Sequence, residues 1–445
     1  MKRPTTARDL ARAVLRRVEQ GEAYATLALG GALARSGLSS ADRGFATELV
    51  YGVLRHRSRL DRALASHAPG KLKLSQPGMI ALRVAAYQLL VLRTPAHAAV
   101  DDGVAAVRAV LGGQVAGFAN AVLRRLAEKG EPPPPADLVA RLEAMCSLPG
   151  WIARRLVSAV GAEEAEAAAA ALNEPPPVAV RVALWRAGRD QVAAAVQAAR
   201  PRAEVTPSPY LPEGLLLRGA SALEELPPFQ EGLMTAQDVA AQLVGRLLGA
   251  QPGERILDAC AGVGGKSTHL AELAQGRVHI DAADASARKL DLAVDGARRL
   301  RLDGIRAVTC DLTRADAPLA ASYDRVLLDA PCSGLGVLRR HPEGKWRRRE
   351  EEIAPLAALQ ARLLAALAPR VRPGGILVYS VCTFTDEEGA GQLARFLAEH
   401  PEFTSAPPPP EDGVDLAPFM DGAIFRSFPH RHGADAFFAA RLVRR

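Results

Sequence analysis

Residues 256–267 read ILDACAGVGGKS, an apolar run that ends in Asp258, passes through a loop of small residues and opens a helix near Lys266. Gly262, Gly264 and Gly265 allow a backbone to approach a ligand closely, and a helix N-terminus adds unpaired N–H donors and a positive dipole. Ligands of open α/β sheets bind at such carboxyl ends of strands. The loop is neither G-x-G-x-x-G nor the G-x-x-x-x-G-K-[ST] of a P-loop. Alone it is equally compatible with a plain tight connection between strand and helix, so its meaning rests on its neighbours.

Strand candidates alternate with helical stretches on the C-terminal side: RILDAC (255–260), VHIDAAD (278–284), AVTCD (307–311), RVLLDA (325–330) and GILVYS (375–380). That alternation predicts a parallel sheet covered on both faces. Asp258, Asp284 and Asp311 close three successive strands and so form a carboxylate rim along one edge. Asp284 lies about 20 residues beyond the glycines, where an acid grips ribose hydroxyls. Without a phosphate-binding lysine loop, the rim points to S-adenosylmethionine rather than a dinucleotide.

Asp329 ends the fourth strand, and Ala-Pro-Cys follows, so the rigid Pro331 sets Cys332 at the ligand edge. Cys382 lies just beyond the strand 375–380. An isolated cysteine is ordinarily a buried inert thiol. Two at neighbouring strand ends over a methyl-donor site suggest nucleophilic chemistry on an electron-poor pyrimidine, because C5 of cytosine is not nucleophilic until a thiolate adds to C6. The five cysteines (146, 260, 310, 332 and 382) form no C-x-x-C and no zinc-spaced cluster, so no disulfide framework and no metal are expected. They read as thiols of a reducing compartment.

The run RRHPEGKWRRREEE, 339–352, sets Arg339, Arg340, Lys345, Arg347, Arg348 and Arg349 around Trp346. Such a stretch suits phosphates and a stacked base. The alternative is a solvated helix start whose arginines pair with the glutamates.

Across all 445 residues, 49% are hydrophobic, which excludes a disordered or fibrous chain. No apolar run has the length of a membrane span, and the segment MKRPTTARDLARAVLRRVEQ lacks a secretory h-region, so a cytoplasmic location is expected. The net charge of +7 is uneven: residues 1–130 carry 20 Lys+Arg against 9 Asp+Glu, a balance of +11, and the remainder is at −4. This favours a polyanionic partner. Residues 1–130 read as an all-α domain, with Leu10, Val14, Leu15 and Val18 at helical spacing and further helices near 79–92, 98–111 and 115–128. The Pro run in 129–135 reads as a stiff linker. Residues 136–235 read as helix followed by a small α+β insert, with strands at 178–184 and 211–219 and a helix at 189–199, and 236–445 as the α/β domain.

The motifs DAPCSGLG and YSVCTF, with Cys332 and Cys382 fifty positions apart, resemble motifs IV and VI of the Sun family of RNA cytosine-C5 methyltransferases. FATELVYGVLRHRSRLD (45–61) and GFANAVLRRLA (117–127) are similar to the NusB-like RNA-binding domain, and FQEGLMTAQDVAAQLVG (229–245) to the lead-in of the catalytic domain. The resemblance covers nearly the whole chain. It is weakest over 174–225.

The resemblance implies a multidomain chain: a NusB-like helical domain, a small α+β insert and a Rossmann-like class I methyltransferase domain. It implies S-adenosylmethionine as cofactor and 16S rRNA as partner, with no obligate protein partner. The loop Cys260, Ala261, Gly262, Val263, Gly264, Gly265, Lys266 would hold the methionine part of the cofactor, Asp284 the ribose and Asp311 the adenine side. Asp329 would touch cofactor and cytosine, Cys382 would be the nucleophile, Cys332 would assist release of the methylated base, and Lys266 would help position the base. Val263 departs from a frequent Pro, Val381 from a Thr, Gly389 from an Asn and Ala183 from an Asn.

Three rival readings remain at this point. One is a NusB-like RNA-binding factor whose methyltransferase half is inert. Another is an exocyclic-amine methyltransferase, which needs no thiol. The third is a DNA cytosine-C5 enzyme, which would use Cys332 as nucleophile and leave Cys382 unexplained.

Overall fold

Leu10, Val14, Leu15 and Val18 lie buried along one face of the helix Ala7–Glu19, as their spacing requires, and Thr6 caps it by accepting the Asp9 N–H. The computed structural model describes residues 6–21, 23–220 and 222–445. The parts of the expected helical domain and insert at residues 1–5, 22 and 221 lie outside it. Contacts divide the chain into two units: a first that runs to Glu174 and takes in Leu338–Arg348, and a second of Pro175–Val337 with Arg349–Arg445.

The first unit is all helix. Gln76–Leu90 is its most deeply buried element, and Ala96–Leu111 and Gly113–Lys129 pack beside it. The helices Leu138–Cys146, Gly150–Val160 and Ala162–Ala171 belong here too, so the contacts part at Glu174 rather than in the proline run. The reason is local. Arg62 donates to the carbonyls of Pro132 and Pro133, and Arg59 pairs with Glu131 at 2.6 Å, which fastens the Pro-rich stretch to the helices.

Leu338–Arg348 corrects the expectation of an exposed phosphate-binding run. Lys345 is 1% exposed and donates to Arg55 O (3.1 Å), Cys146 O (3.2 Å) and Asn173 Oδ1 (2.6 Å). Burial, reinforced by the nearby Arg55 charge, lowers its pKa to about 7. Trp346 donates its indole N–H to Leu54 O, and Arg347 lies over the Tyr24 ring. Arg339 and Lys345 are buried, Arg340, Trp346, Arg347 and Arg348 are half-buried, and Arg349 just beyond the segment is exposed, so the six cations do not form one continuous surface around the indole.

The second unit carries two sheets. Val178–Val182 (β1), Glu204–Pro207 (β2), Gly214–Arg218 (β3) and Met234–Ala236 (β4) form an antiparallel sheet in the order β2-β3-β1-β4, covered by the helix Arg189–Ala199. The larger sheet contains Arg255–Ala259 (β5), His279–Asp284 (β6), Ile305–Thr309 (β7), Tyr323–Asp329 (β8) and Val371–Val381 (β9). It also contains Phe403–Ser405 (β10), Met420–Asp421 (β11), Ile424–Ser427 (β12) and Phe437–Arg444 (β13).

The order along that sheet is β11-β12-β13-β9-β8-β5-β6-β7, with β10 paired to β13. Strands β5 to β9 are parallel, as the alternation of strand and helix predicts, but β10 to β13 pair antiparallel. The sheet is therefore mixed rather than parallel throughout. Register sets the site: Ala259 faces Ala283 and Leu328, and Asp329 faces Ser380, so the strand ends that carry Cys260, Asp284, Asp329 and Cys382 align along one edge.

Candidate active site

The loop after β5 turns sharply. Cys260 has φ +63°, Gly262 +58° and Gly264 +77°, all in the region where a side chain is strained. A Cβ at Gly264 would stand 2.6 Å from that of Ala293, so glycine is required there for packing as well. Gly265 has neither constraint and starts the helix Gly265–Leu273. At Gly262 and Gly265 the space a side chain would fill is essentially open, which makes the loop a cradle; Val263 turns its side chain outward.

Asp284 is buried and accepts the backbone N–H of Gly262 (3.0 Å) through one carboxylate oxygen and that of Ser286 (2.8 Å) through the other. It therefore anchors the cradle as well as lining it. Asp258 is fully buried beneath the loop, with one oxygen 2.5 Å from Ser267 Oγ and the other without a hydrogen-bond partner. Burial pushes its carboxyl up to about 7. Asp311 is the exception among the predicted rim residues. It is exposed at the end of β7, and the Thr313 hydroxyl and backbone N–H hold its carboxyl below the ordinary range.

Asp329, at the end of β8, accepts from Lys266 Nζ at 2.5 Å and from Ser380 Oγ at 2.8 Å. Burial opposes the Lys266 charge, but the attraction and hydrogen bond of Asp329 outweigh it, and the ammonium is held above its usual pKa. Phe437, at the start of β13, places its ring 5.6 Å from Lys266 Nζ. Beyond them the sulfurs of Cys332 and Cys382 lie 3.3 Å apart, within S–H···S hydrogen-bonding distance. That hydrogen bond, with burial and the negative groups around it, pushes the Cys332 thiol well above its ordinary range. A thiol so raised is a hydrogen-bond donor to the neighbouring sulfur rather than a ready source of protons. Cys260 stays a thiol for a different reason: burial first, then Asp284, Asp329 and Asp258, raise it to about 12.

Sequence reasoning brought together Lys266, Asp329, Cys332 and Cys382 and missed what braces them. Arg181, buried in β1, donates to Gly265 O (3.0 Å) and Thr268 Oγ1 (3.1 Å) and pairs with Glu272 (2.7 Å). It fixes the first turns of the helix Gly265–Leu273 from the small sheet. An arginine inside the alternating run VAVRVAL was the available signal, since a cation on a buried strand needs a carboxylate partner. Phe437 carried no such signal.

Comparison with known proteins agrees with this geometry. Residues 246–443 match the 16S rRNA methyltransferase RsmB/F family, 5–128 the NusB family, and 148–224 the ferredoxin-like domain of RsmF/B-like methyltransferases. A protein of Synechocystis sp. named "Probable ribosomal RNA small subunit methyltransferase B" is 36% identical over 98% of this chain and 99% of its own. The chain belongs to the RsmB family. The ribosomal RNA small subunit methyltransferase B of Yersinia enterocolitica is 32% identical over 98% of this chain and 97% of its own. The solved structure of PH0851 superposes with a TM-score of 0.80 at 26% identity, covering 97% of this chain and 98% of that one. S-adenosylmethionine is the methyl donor of such methyltransferases, and the open cradle, the buried Asp284 and the unpaired oxygen of Asp258 beneath the loop fit a ligand of that kind. No helix among the described residues is long and apolar enough to cross a membrane.

Proposed function

We propose that the chain methylates C5 of a cytosine in 16S rRNA through a covalent Cys382–C6 adduct. The observation that carries this reading is the pair of sulfurs 3.3 Å apart beside the Lys266–Asp329 ion pair. An exocyclic-amine methyltransferase has no use for two thiols in contact, and an inert domain has no need to retain them.

The cradle 260–266 and Asp284 would hold S-adenosylmethionine, which supplies an electrophilic methyl group when bound. The Cys382 thiolate adds to C6 of the cytosine, and the electron pair of the C5–C6 double bond moves into the ring. Asp329 faces the N3/N4 edge in this reading, and Lys266 beside it orients the base and balances the charge of the carboxylate. C5, now nucleophilic, accepts the methyl group. Loss of the C5 proton to a base then re-forms the double bond and expels Cys382. Cys332 acts in this last stage, as the hydrogen-bond donor that stabilises the departing thiolate. The basic first unit supplies affinity for the RNA backbone, and action on ribosomal RNA supports a cytoplasmic location.

The test is a map of 5-methylcytosine in rRNA from a strain lacking the gene. One 16S position should lose its mark and regain it with the wild-type gene but not with Cys382→Ala. An unchanged map would overturn the assignment.

A further inference from the structure

Glu388 is fully buried in the turn before the helix Ala390–Glu399, and the reaction described above does not use it. Among the described residues its hydrogen-bond donors are all neutral. One carboxylate oxygen accepts the Ser333 backbone N–H at 2.8 Å and Gln360 Nε2 at 3.1 Å; the other accepts from Thr385 Oγ1 at 2.8 Å. A buried carboxylate without a countercharge is costly, and it persists where its geometry is needed.

The donors show what that geometry holds. Ser333 follows Cys332 directly, and Thr385 lies three residues past Cys382. Gln360, from the helix Ile353–Leu367, also donates to Pro331 O at 2.9 Å, so the peptide groups on both sides of Cys332 are fixed from one centre. The Tyr379 hydroxyl, 3.1 Å from Gln360 Oε1 and 2.6 Å from Glu388 O, locks that centre in place. A Ser333–Thr383 hydroxyl contact at 2.8 Å and the Gly336 N–H on Cys382 O at 2.9 Å join the same two loops. 

We propose that Glu388 is the positioning residue of the thiol pair: it clamps the Cys332 loop to the Cys382 loop and so sets the distance between the two sulfurs. The inference rests on the reading of these cysteines as the working thiols, but its first test needs neither RNA nor cofactor. Diamide takes two electrons and two protons from a pair of thiols and leaves a disulfide, so the rate of Cys332–Cys382 cross-linking, followed by peptide mass spectrometry on the full-length protein, reports their juxtaposition.

Glu388→Ala should slow cross-linking by roughly tenfold or more, because it leaves buried donors of both loops unpaired. Glu388→Gln should restore the rate to within about threefold, since its amide oxygen still accepts from Ser333 and Gln360 and its N–H can donate to Thr385. In steady-state methylation, with rates expressed per S-adenosylmethionine-binding site titrated, Glu388→Ala should lower kcat and leave KM for S-adenosylmethionine unchanged, whereas general loss of folding would lower the number of sites and leave the rate per site unchanged. Wild-type cross-linking in Glu388→Ala overturns the proposal. Should that variant fail to fold, Thr385→Val decides: a slower cross-link upholds the clamp, and an unchanged one overturns it. The expected cross-linking pattern in a protein that methylates no RNA would uphold the clamp and reject only the proposed reaction.

Discussion

Lys266 Nζ lies 2.5 Å from Asp329 Oδ2, which joins the first turn of the helix Gly265–Leu273 to the end of β8 as one charged unit. Separate elements 63 residues apart thus share a single electrostatic centre. Lys266→Met should lower the single-turnover methylation rate by roughly a hundredfold, the scale of losing one preorganised charge at a reacting group. Asp329 remains partly solvated, so the loss of stability should be only about 1 kcal/mol. A wild-type rate in this variant would remove Lys266 from the machinery.

The two cysteines should fail in different ways. Cys382→Ala leaves C5 unactivated, and no protein–RNA adduct can form. Cys332→Ala leaves addition and methyl transfer intact but slows release, so an adduct should accumulate and be visible on a denaturing gel. An adduct from Cys382→Ala and none from Cys332→Ala would assign the nucleophile to Cys332 instead.

Asp284 accepts two backbone N–H groups of its own loops besides facing the cradle. Asp284→Ala should weaken S-adenosylmethionine binding by about 1.5–3 kcal/mol, roughly ten- to a hundredfold. Calorimetry that returns wild-type affinity would exclude a role for this carboxylate at the cofactor.

Asp258 makes stability depend on pH. Its carboxyl holds a proton in the fold up to about pH 7, whereas in the unfolded chain it ionises near 3.8. Between those values the fold retains a proton that the unfolded chain has released, so stability falls as pH rises, by up to about 1.4 kcal/mol per pH unit from this group. Melting curves from pH 5 to pH 8 should show that decline in the wild type and a flatter profile in Asp258→Asn. Parallel profiles would show that the group is ionised throughout.

RNA affinity should reside in the basic first unit. Arg16, Arg108 and Arg124 are exposed on its helices. Reversing all three charges should weaken RNA binding and flatten its salt dependence while cofactor affinity is retained. A filter-binding titration across salt concentrations checks this, and an unchanged slope would place the RNA contacts elsewhere.

The sequence by itself determined whatever depends on neighbours in the chain. Strand–loop–helix alternation from 255 to 381 is local, because a strand buried on both faces must be a continuous apolar run and its loop must carry the small residues a tight turn needs. Cys332 and Cys382 were legible as a pair for the same reason: each follows such a run. Only the tertiary structure decided the pairings that span long separations. The antiparallel β13 beside β9 could not be read from FFAARLVR, since an edge hairpin and a central strand share one pattern. Lys345 looked like a phosphate ligand until its acceptors, 172 to 290 residues away, proved to be Asn173, Cys146 and Arg55. Glu388 carried no signal in the sequence, and its burial against Ser333 and Gln360 follows from the packing of two loops and a helix. A charged side chain carries no local mark of whether water or protein will satisfy it; that depends on which donors and acceptors the fold delivers around it.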